Sequence, residues 1–249
     1  MPFRPRPVLF LDTNVLHYIR LYLDLAKREK LPPFGKSSAD PDKVIKRCFP
    51  GRAAEHVTRG RTFTKYLKKR CAEQADVVYS PITCLETMCG LLKGSALLAA
   101  AKEGAPDRMF SRLDETEVLS RLDEVAYSRA LEAVENCREI CFKADIALHR
   151  SDPEGTQEVW ALAEGILGNV FLNVGDTLVF AGALLEEADE VVTADGYLRR
   201  VIEHVHNPIA SPPEYVAYFT KVKANLTEII TRVTGREGAA VVFPRAHMI

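Results

Sequence analysis

Four acidic residues are the part of this sequence best suited to chemistry. Each stands after a short apolar run or at the start of a predicted helix: Asp12, Glu86, Asp176 and Asp195. Four carboxylates in one cleft repel one another unless cations neutralise them, and hard oxygen ligands of this kind select Mg²⁺ or Mn²⁺ over softer metals. Such a centre can activate water and stabilise the charge on a phosphodiester during hydrolysis.

The elements that must position these acids are short strands. Three apolar runs predict strands, and each precedes one of the acids: 8–11 before Asp12, 75–79 before Glu86, and 190–193 before Asp195. Short continuous apolar runs are typical of strands buried on both faces of a parallel sheet. The fourth acid, Asp176, opens the helix that leads into the last of these strands.

The alternation of strands and helices predicts an α/β fold with three layers, α/β/α, around a central parallel sheet. Because ligands of such sheets bind at the carboxyl ends of the strands, all four acids are expected at one edge. We expect a single domain over 1–249, with an extra helical region inserted at about 95–165 and a C-terminal extension at about 219–249.

Further elements follow from apolar spacing and from Gly and Pro positions. Four of the predicted helices cover about 61–74, 117–149, 156–172 and 212–233. Two further strands are predicted, an edge strand around Val205 and Ile209 and a final strand at 241–243. Three aromatic side chains are expected in the core, Phe63, Tyr66 and Trp160, and stacking on nucleic-acid bases is an alternative role for Phe63 and Tyr66.

Four segments resemble the motifs of the PIN-domain family of metal-dependent nucleases. The segment 8–16, VLFLDTNVL, resembles the first motif, and 80–92 with Glu86 is similar to the second. The segment 176–197 resembles the paired third and fourth motifs, and 207–218 resembles the closing strand and helix of the family. The helical region at about 95–165 has no counterpart among these motifs.

The resemblance implies a metal-dependent endoribonuclease that leaves 5′-phosphate and 3′-hydroxyl ends. Asp12, Glu86, Asp176 and Asp195 would be its catalytic, metal-binding acids, and two further residues, Asn14 and Thr193, would support them by hydrogen bonds. Gly196 departs from the family, which often has a larger polar residue after the fourth acid. A toxin of a toxin–antitoxin pair, with an antitoxin protein as partner, is one hypothesis for its role, and a homodimer is another hypothesis for its assembly.

Two alternatives belong to other functional classes. A phosphatase of the haloacid-dehalogenase type also has a strand that ends in Asp, but it needs a second Asp two positions later as general acid. That position holds Asn14, which cannot donate and retake a proton at neutral pH. The other alternative is an inactive PIN-like module that binds nucleic acid or acts as a scaffold.

The region 43–70 is strongly basic although the whole chain has a net charge of −1. It holds ten Lys or Arg residues against one acid, Glu55, a formal charge of +9. Runs of this kind usually form a solvated helix face. They can also contact RNA phosphates, which supply most of the affinity of nucleic-acid binding. The candidate contacts are Arg59, Arg61, Lys65, Lys68 and Lys69.

Composition favours an ordinary globular protein, with 47% hydrophobic and 27% charged residues. The six cysteines form no CxxC pair, so we expect reduced thiols in a cytoplasmic protein. Cys137 and Cys141, one helical turn apart, are interpreted as packing residues. No apolar run is long enough for a secretory signal or a membrane span, and no membrane association is expected.

Overall fold

The structure is a computed structural model that describes residues 6–36, 39–49, 51–102, 124–151, 156–236 and 241–248. Its strands are β1 (Val8–Leu11), β2 (Asp76–Tyr79), β3 (Leu148–Arg150), β4 (Glu190–Val192) and β5 (Arg245–His247). Its helices are α1 (Thr13–Arg28), α2 (Pro41–Cys48), α3 (Gly51–Ala72), α4 (Pro81–Lys102), α5 (Glu124–Glu135), α6 (Cys137–Phe142), α7 (Gln157–Leu167), α8 (Val174–Leu185), α9 (Gly196–His206) and α10 (Pro213–Thr234). None of these described helices is both long and apolar enough to cross a membrane.

The five strands form one parallel sheet in the order β3-β2-β1-β4-β5. β1 lies at the centre, where Phe10 pairs with Val78 of β2 on one side and with Val191 of β4 on the other. The chain runs from β1 outwards to β2 and β3, then returns to β4 beside β1. The strand order therefore reverses between β1 and β4, and open α/β sheets bind ligands beyond the carboxyl ends of the strands at such a point.

Helices cover both faces of the sheet, which confirms the predicted three-layer α/β/α architecture. Successive side chains of a strand point to opposite faces, so the residues of β1 divide between two cores. Leu9 and Leu11 pack in the core under α1, α3 and α6. Phe10 packs in the other core, under α7, α8, α9 and α10. β1 is thus fixed from both sides, and so is the residue that follows it.

The helix predicted from about Arg61 begins much earlier, at Gly51. Its buried positions recur at helical spacing: Val57, Gly60, Phe63 and Leu67. At Gly60, α1 and α3 approach so closely that a Cβ would lie 1.9 Å from the backbone oxygen of Tyr18. The first half of α3 therefore packs through small residues, which leave little hydrophobic periodicity in the sequence.

The described part of the helix predicted over about 117–149 is helical as far as Phe142, but it is divided into two helices and ends in a strand. Residues 103–123 lie outside the described residues, and the remainder forms α5, α6 and the strand β3. β3 pairs with β2 at the edge of the sheet, and of its three residues only Leu148 is buried. An edge strand with one buried side chain leaves no apolar run, so it was missed. The helix predicted over 156–172 ends earlier, as α7 at Leu167.

The edge strand predicted around Val205 and Ile209 is also wrong. Val205 lies in α9 and is buried at helical spacing from Leu198 and Val201. A 3-10 turn, Pro208–Ala210, follows this helix. An apolar residue on either side of Asn-Pro fits the end of a helix as well as an edge strand, so this pattern does not distinguish the two.

The final strand lies at Arg245–His247 rather than at the predicted 241–243. Phe243 and Pro244 are buried, yet the parallel pairing with β4 begins only at Arg245. Pro244 has no N–H to donate to a strand ladder, so the ladder starts after it. The segment expected to be a C-terminal extension thus carries an edge strand of the sheet.

The three aromatic residues predicted in the core differ in their burial. Phe63 is fully buried, as predicted. Tyr66 is half-buried, because its hydroxyl donates to the Glu190 carboxylate and its ring stacks on His247 at 4.0 Å. Trp160 is 51% exposed, because α7 turns another face towards the core.

Candidate functional site

Asp12 follows β1 directly and is buried, with 2% of its surface exposed. Its backbone N–H donates to the carbonyl of Val192 in β4 at 3.0 Å, which extends the pairing of the two strands by one residue. Asp12 occupies the N-cap position of α1, yet its side chain makes no capping hydrogen bond. Helix capping is the usual explanation for an aspartate at this position, and it does not explain this side chain.

Thr193 links the acid that follows β1 to the acid that follows β4. Its buried hydroxyl donates to Asp12 Oδ2 at 2.7 Å. The same oxygen accepts a hydrogen bond from the backbone N–H of Asp195 at 2.9 Å. A single hydroxyl can donate and accept at once, so Thr193 fixes the position of Asp12 and Asp195 relative to each other.

Asp195 caps α9. Its Oδ1 accepts hydrogen bonds from the backbone N–H groups of Tyr197 at 2.6 Å and Leu198 at 2.8 Å. This contact explains why an aspartate stands here, but it involves only one carboxylate oxygen. A Cβ built on Gly196 would meet nothing within 4 Å, so the approach beside Asp195 is open at the position where the PIN family often has a larger residue.

Asp176 lies in the first turn of α8, which Asn173 caps. Asn173 Oδ1 accepts from the backbone N–H of Asp176 at 2.8 Å, and its Nδ2 donates to Asp176 Oδ2 at 2.7 Å. Because Asn173 satisfies the end of the helix, the Asp176 carboxylate is not needed as a cap. It is instead held from one side by an amide and is half-buried.

Glu86 lies in α4, one turn beyond the cap at Ser80. Its apolar neighbour Leu85 is 60% exposed. The buried positions of this turn are instead Thr83 and Thr87. Glu86 itself is half-buried at the border between this polar helix face and solvent.

The Glu86 carboxylate is enclosed by two other elements. The Thr13 hydroxyl, at the start of α1, donates to Glu86 Oε2. Its other oxygen lies against the backbone of α8, since a Cβ built on Gly175 would be 2.0 Å from Glu86 Oε1. Glu86 therefore bridges the beginnings of α1 and α8, next to Asp12 and Asp176 respectively.

The four carboxylates lie close enough to influence one another's protonation. The pKa of Asp12 is raised from 3.8 to about 6: burial raises it most, hydrogen bonds from Thr193 and from the Thr13 backbone lower it, and the charges of Glu86 and Asp195 raise it. The pKa of Asp176 is raised from 3.8 to about 7, mainly by burial and then by the charges of the other three acids, against the lowering effect of the Asn173 hydrogen bond. All four predicted acids thus meet at the carboxyl edge of the sheet.

Among the described residues, no group of three or more His, Cys, Asp or Glu side chains has the arrangement of a formed metal site. The chemistry of the donor set nevertheless fits a hard divalent cation, because all four groups are carboxylates. Such a cation would also offset the burial and mutual repulsion that raise the pKa values of Asp12 and Asp176.

The last turns of α3 lie far from these acids. Arg70 contacts Glu190, the first residue of β4, at 3.1 Å, which places this end of the helix at the amino edge of the sheet. Lys68 and Lys69 lie close to it and are paired with Asp145 at 2.7 Å and Glu73 at 3.8 Å. These two candidate RNA contacts therefore lie on the side opposite to the four carboxylates.

Arg59 lies in the earlier half of α3 and is connected to the acidic side. Burial raises the pKa of Tyr18 most, the charge of Arg59 lowers it, and the charge of Asp12 also raises it. Arg59 also lines a groove of about 600 Å³ between α2 and α3, together with Lys46. Of the other candidates, Arg61 pairs with Asp42 at 2.6 Å and Lys65 is exposed.

Three residues that contact the acids were not singled out from the sequence: Thr13, Asn173 and Gly175. Asn14, proposed as a support, lies in the first turn of α1 and makes no side-chain hydrogen bond to another described residue. Thr13 lies within the first motif and could have been considered as readily as its neighbour. Gly175 carried one signal in the sequence, since a glycine at the start of a predicted helix can mark a close approach of another element.

We compared the chain with models of protein families, with curated proteins and with solved structures, and found no significant match in any of them.

Proposed function

We propose that this protein is a metal-dependent endoribonuclease that hydrolyses RNA phosphodiester bonds to 5′-phosphate and 3′-hydroxyl ends. The observation that carries the proposal is the convergence of Asp12, Glu86, Asp176 and Asp195 where the strand order of a parallel sheet reverses. Two of these acids have pKa values raised towards neutrality, which is frequent at functional sites.

The four acids would hold Mg²⁺ or Mn²⁺. When bound, the metal supplies Lewis-acid stabilisation of the phosphodiester and water of lowered pKa. The chain itself keeps the acids in place through donor side chains: Thr193 for Asp12, Thr13 for Glu86 and Asn173 for Asp176. Supporting hydrogen bonds of this kind orient metal ligands before the metal arrives.

The choice of RNA, the cytoplasmic location and the role as a toxin held by an antitoxin rest on the resemblance to PIN domains. The helical region at about 95–165 is a candidate surface for a protein partner or for a second copy of the chain. These parts of the proposal are independent of the chemistry of the acids.

A second candidate function is that of an inactive nucleic-acid-binding or scaffold protein. The contact that favours it is the capping of α9 by Asp195, which gives this acid a structural use. Three of the acids have no such use, since none of them caps a helix. An inert scaffold should bind Mn²⁺ no better than its Asp176→Ala variant.

The test is cleavage of 5′-labelled single-stranded RNA by the full chain with Mn²⁺. We expect Asp12→Asn to lower the rate by more than the roughly 10- to 100-fold that loss of a supporting residue costs. Asp145→Asn is the matched control, because Asp145 is exposed, pairs with Lys68 and has a φ of 62° that asparagine tolerates.

The ends of the products exclude a contaminating nuclease. The proposed reaction leaves a 3′-hydroxyl that a polymerase can extend, whereas a metal-independent ribonuclease leaves a cyclic phosphate. Equal cutting by Asp12→Asn and the unchanged chain, or cutting that persists in EDTA, would contradict the proposal. A parallel panel of DNA substrates decides between RNA and DNA.

A further inference from the structure

A groove of about 670 Å³ runs between α9 and α10. α9 contributes Tyr197, Arg200 and His204, and α10 contributes Tyr215 and Tyr218. Its three tyrosine residues are about half exposed, at 45%, 50% and 47% for Tyr197, Tyr215 and Tyr218. Its volume lies within the range of about 300–1,000 Å³ that is typical of binding pockets.

The floor and one wall of the groove are held in place by contacts within the protein. Phe219 is buried below it, with its ring 4.8 Å from His204 and 5.0 Å from Tyr218. His204 Nδ1 hydrogen-bonds with Ser211 Oγ at 2.9 Å. The Tyr218 hydroxyl donates to the backbone oxygen of Asn169. These contacts hold Tyr218 in place although it is 47% exposed, so little ordering is needed when a flat ligand binds.

The charge of the groove favours an anionic occupant. Arg200 lies over the Tyr197 ring, with its guanidinium carbon 5.9 Å from the ring centroid. No described carboxylate lines the groove or pairs with Arg200, and the neighbouring Glu203 is paired with Arg199 at 2.8 Å. A surface of exposed aromatic rings with one arginine and no acid suits a planar aromatic group that carries a negative charge.

The groove adjoins the acidic site at the start of α9. Tyr197 follows Asp195 by two residues, and its backbone N–H donates to the Asp195 carboxylate at 2.6 Å. At the other wall, Tyr218 is tied to Asn169, in the segment that leads to Asp176. A chain of nucleotides lying in the groove would therefore continue towards the acids.

We propose that the groove between α9 and α10 binds single-stranded RNA, with unstacked bases on Tyr197, Tyr215 and Tyr218 and a phosphate at Arg200. This inference rests on the proposed function and names its substrate as RNA without secondary structure. Stacking on aromatic side chains tolerates any base sequence, because every base has a flat face. Bases held in a duplex cannot reach such rings.

The test measures binding separately from cleavage, by fluorescence anisotropy of a labelled RNA octamer in EDTA. Two ligands are compared, an octamer with bases and an abasic ribose-phosphate octamer of equal charge. Tyr215→Ala should weaken binding of the first roughly ten-fold and leave the second unchanged. Arg200→Gln should weaken the binding of both octamers. The dependence of the affinity on salt concentration should also fall, by the equivalent of about one phosphate contact.

Two controls accompany these variants. Tyr215→Phe keeps the ring and should bind as the unchanged chain does. Tyr127→Ala removes an equally exposed tyrosine of α5, outside the groove, and should have no effect. The inference is overturned if Tyr197→Ala and Tyr215→Ala leave the affinity unchanged, if they weaken the abasic ligand equally, or if a duplex binds as tightly as the single strand.

The outcomes separate this inference from the proposed function. If the unchanged chain cleaves RNA with Mn²⁺ but both tyrosine variants bind RNA with unchanged affinity, the groove does not bind RNA and the nuclease function stands. If Tyr215→Ala loses base-dependent binding but the unchanged chain cleaves no RNA, the groove binds RNA and the nuclease function is rejected.

Discussion

Thr193 connects the acid that follows β1 to the acid that follows β4 by hydrogen bonds. Its hydroxyl is fully buried and bonded both to Asp12 Oδ2 and to the backbone N–H of Asp195. The hydrogen bond to Asp12 lowers a pKa that burial raises. Removal of the hydroxyl therefore leaves an unsatisfied donor and acceptor and makes Asp12 harder to ionise.

Thr193→Val keeps the shape of the side chain and removes the hydroxyl. We expect Mn²⁺ affinity to fall roughly 10- to 100-fold, as is usual when a support of a metal ligand is lost. The loss should be larger at pH 6 than at pH 8, because protons compete with the metal for an Asp12 of higher pKa. Calorimetric titration at both pH values measures this.

Thr193→Ser is the control for that substitution, because it retains the hydroxyl. It should keep most of the affinity at both pH values. A Thr193→Val variant with unchanged affinity, or with the same loss at pH 6 and pH 8, would show that the hydroxyl does not act through the ionisation of Asp12.

The start of α8 is the element that brings Asp176 and Glu86 together. Asn173 caps the helix and holds Asp176, while Gly175 leaves room for the Glu86 carboxylate of α4. A Cβ at position 175 would meet the end of a flexible side chain rather than backbone. The fold can therefore accept a larger residue at position 175, but the Glu86 carboxylate would then have to move.

Gly175→Ala is expected to separate stability from activity. The melting temperature should stay the same or rise slightly, because alanine is favoured over glycine in a helix by roughly 0.5–1 kcal/mol. The rate of RNA cleavage should fall by roughly ten-fold or more, because the Glu86 carboxylate must move.

Gly196→Ala is the matched control for this substitution, since its Cβ would meet nothing within 4 Å. It should change neither stability nor cleavage appreciably. Full activity in Gly175→Ala would mean that the close approach of α8 and Glu86 has no part in the reaction.

The elements that carry the acids could be predicted from the sequence because their strands are buried on both faces. The continuous apolar run before Asp12 predicts β1 with its observed bounds, whereas the strand predicted over 190–193 before Asp195 ends one residue earlier, at Val192. β3 and β5 could not be found in this way, since edge strands of three residues bury few side chains. The contacts that hold the acids, such as that of Gly175 with Glu86, join elements remote in sequence.

In the metal-free protein, ionisation of the buried acids lowers the stability of the fold as pH rises. Asp12 and Asp176 have pKa values of about 6 and about 7 in the folded protein, against 3.8 for an ordinary aspartate. The folded state therefore binds more protons than the unfolded state at pH values between the pKa of an ordinary aspartate and the raised pKa of each acid. The free energy of unfolding falls as pH rises through this window and is lowest above it.

Asp12→Asn should consequently stabilise the metal-free protein at pH 8 and have less effect at pH 5. A pKa raised by two units corresponds to at most about 3 kcal/mol, and each kcal/mol to about 2–4 °C in a chain of this size. Differential scanning calorimetry in EDTA measures the change. Added Mn²⁺ should reverse the order by stabilising the unchanged chain more. A variant less stable than the unchanged chain at pH 8 in EDTA contradicts the electrostatic account.

In the proposed function, four acids from separate elements form one site for a divalent cation. Calorimetric titration of the full chain with Mn²⁺ at pH 8 tests this, in parallel with Asp12→Asn, Glu86→Gln, Asp176→Asn and Asp195→Asn, and with Asp145→Asn as control. Each of the four substitutions should weaken binding by roughly ten-fold or more, and the control should leave it unchanged. Binding by Glu86→Gln and Asp176→Asn as tight as that of the unchanged chain would contradict this proposal.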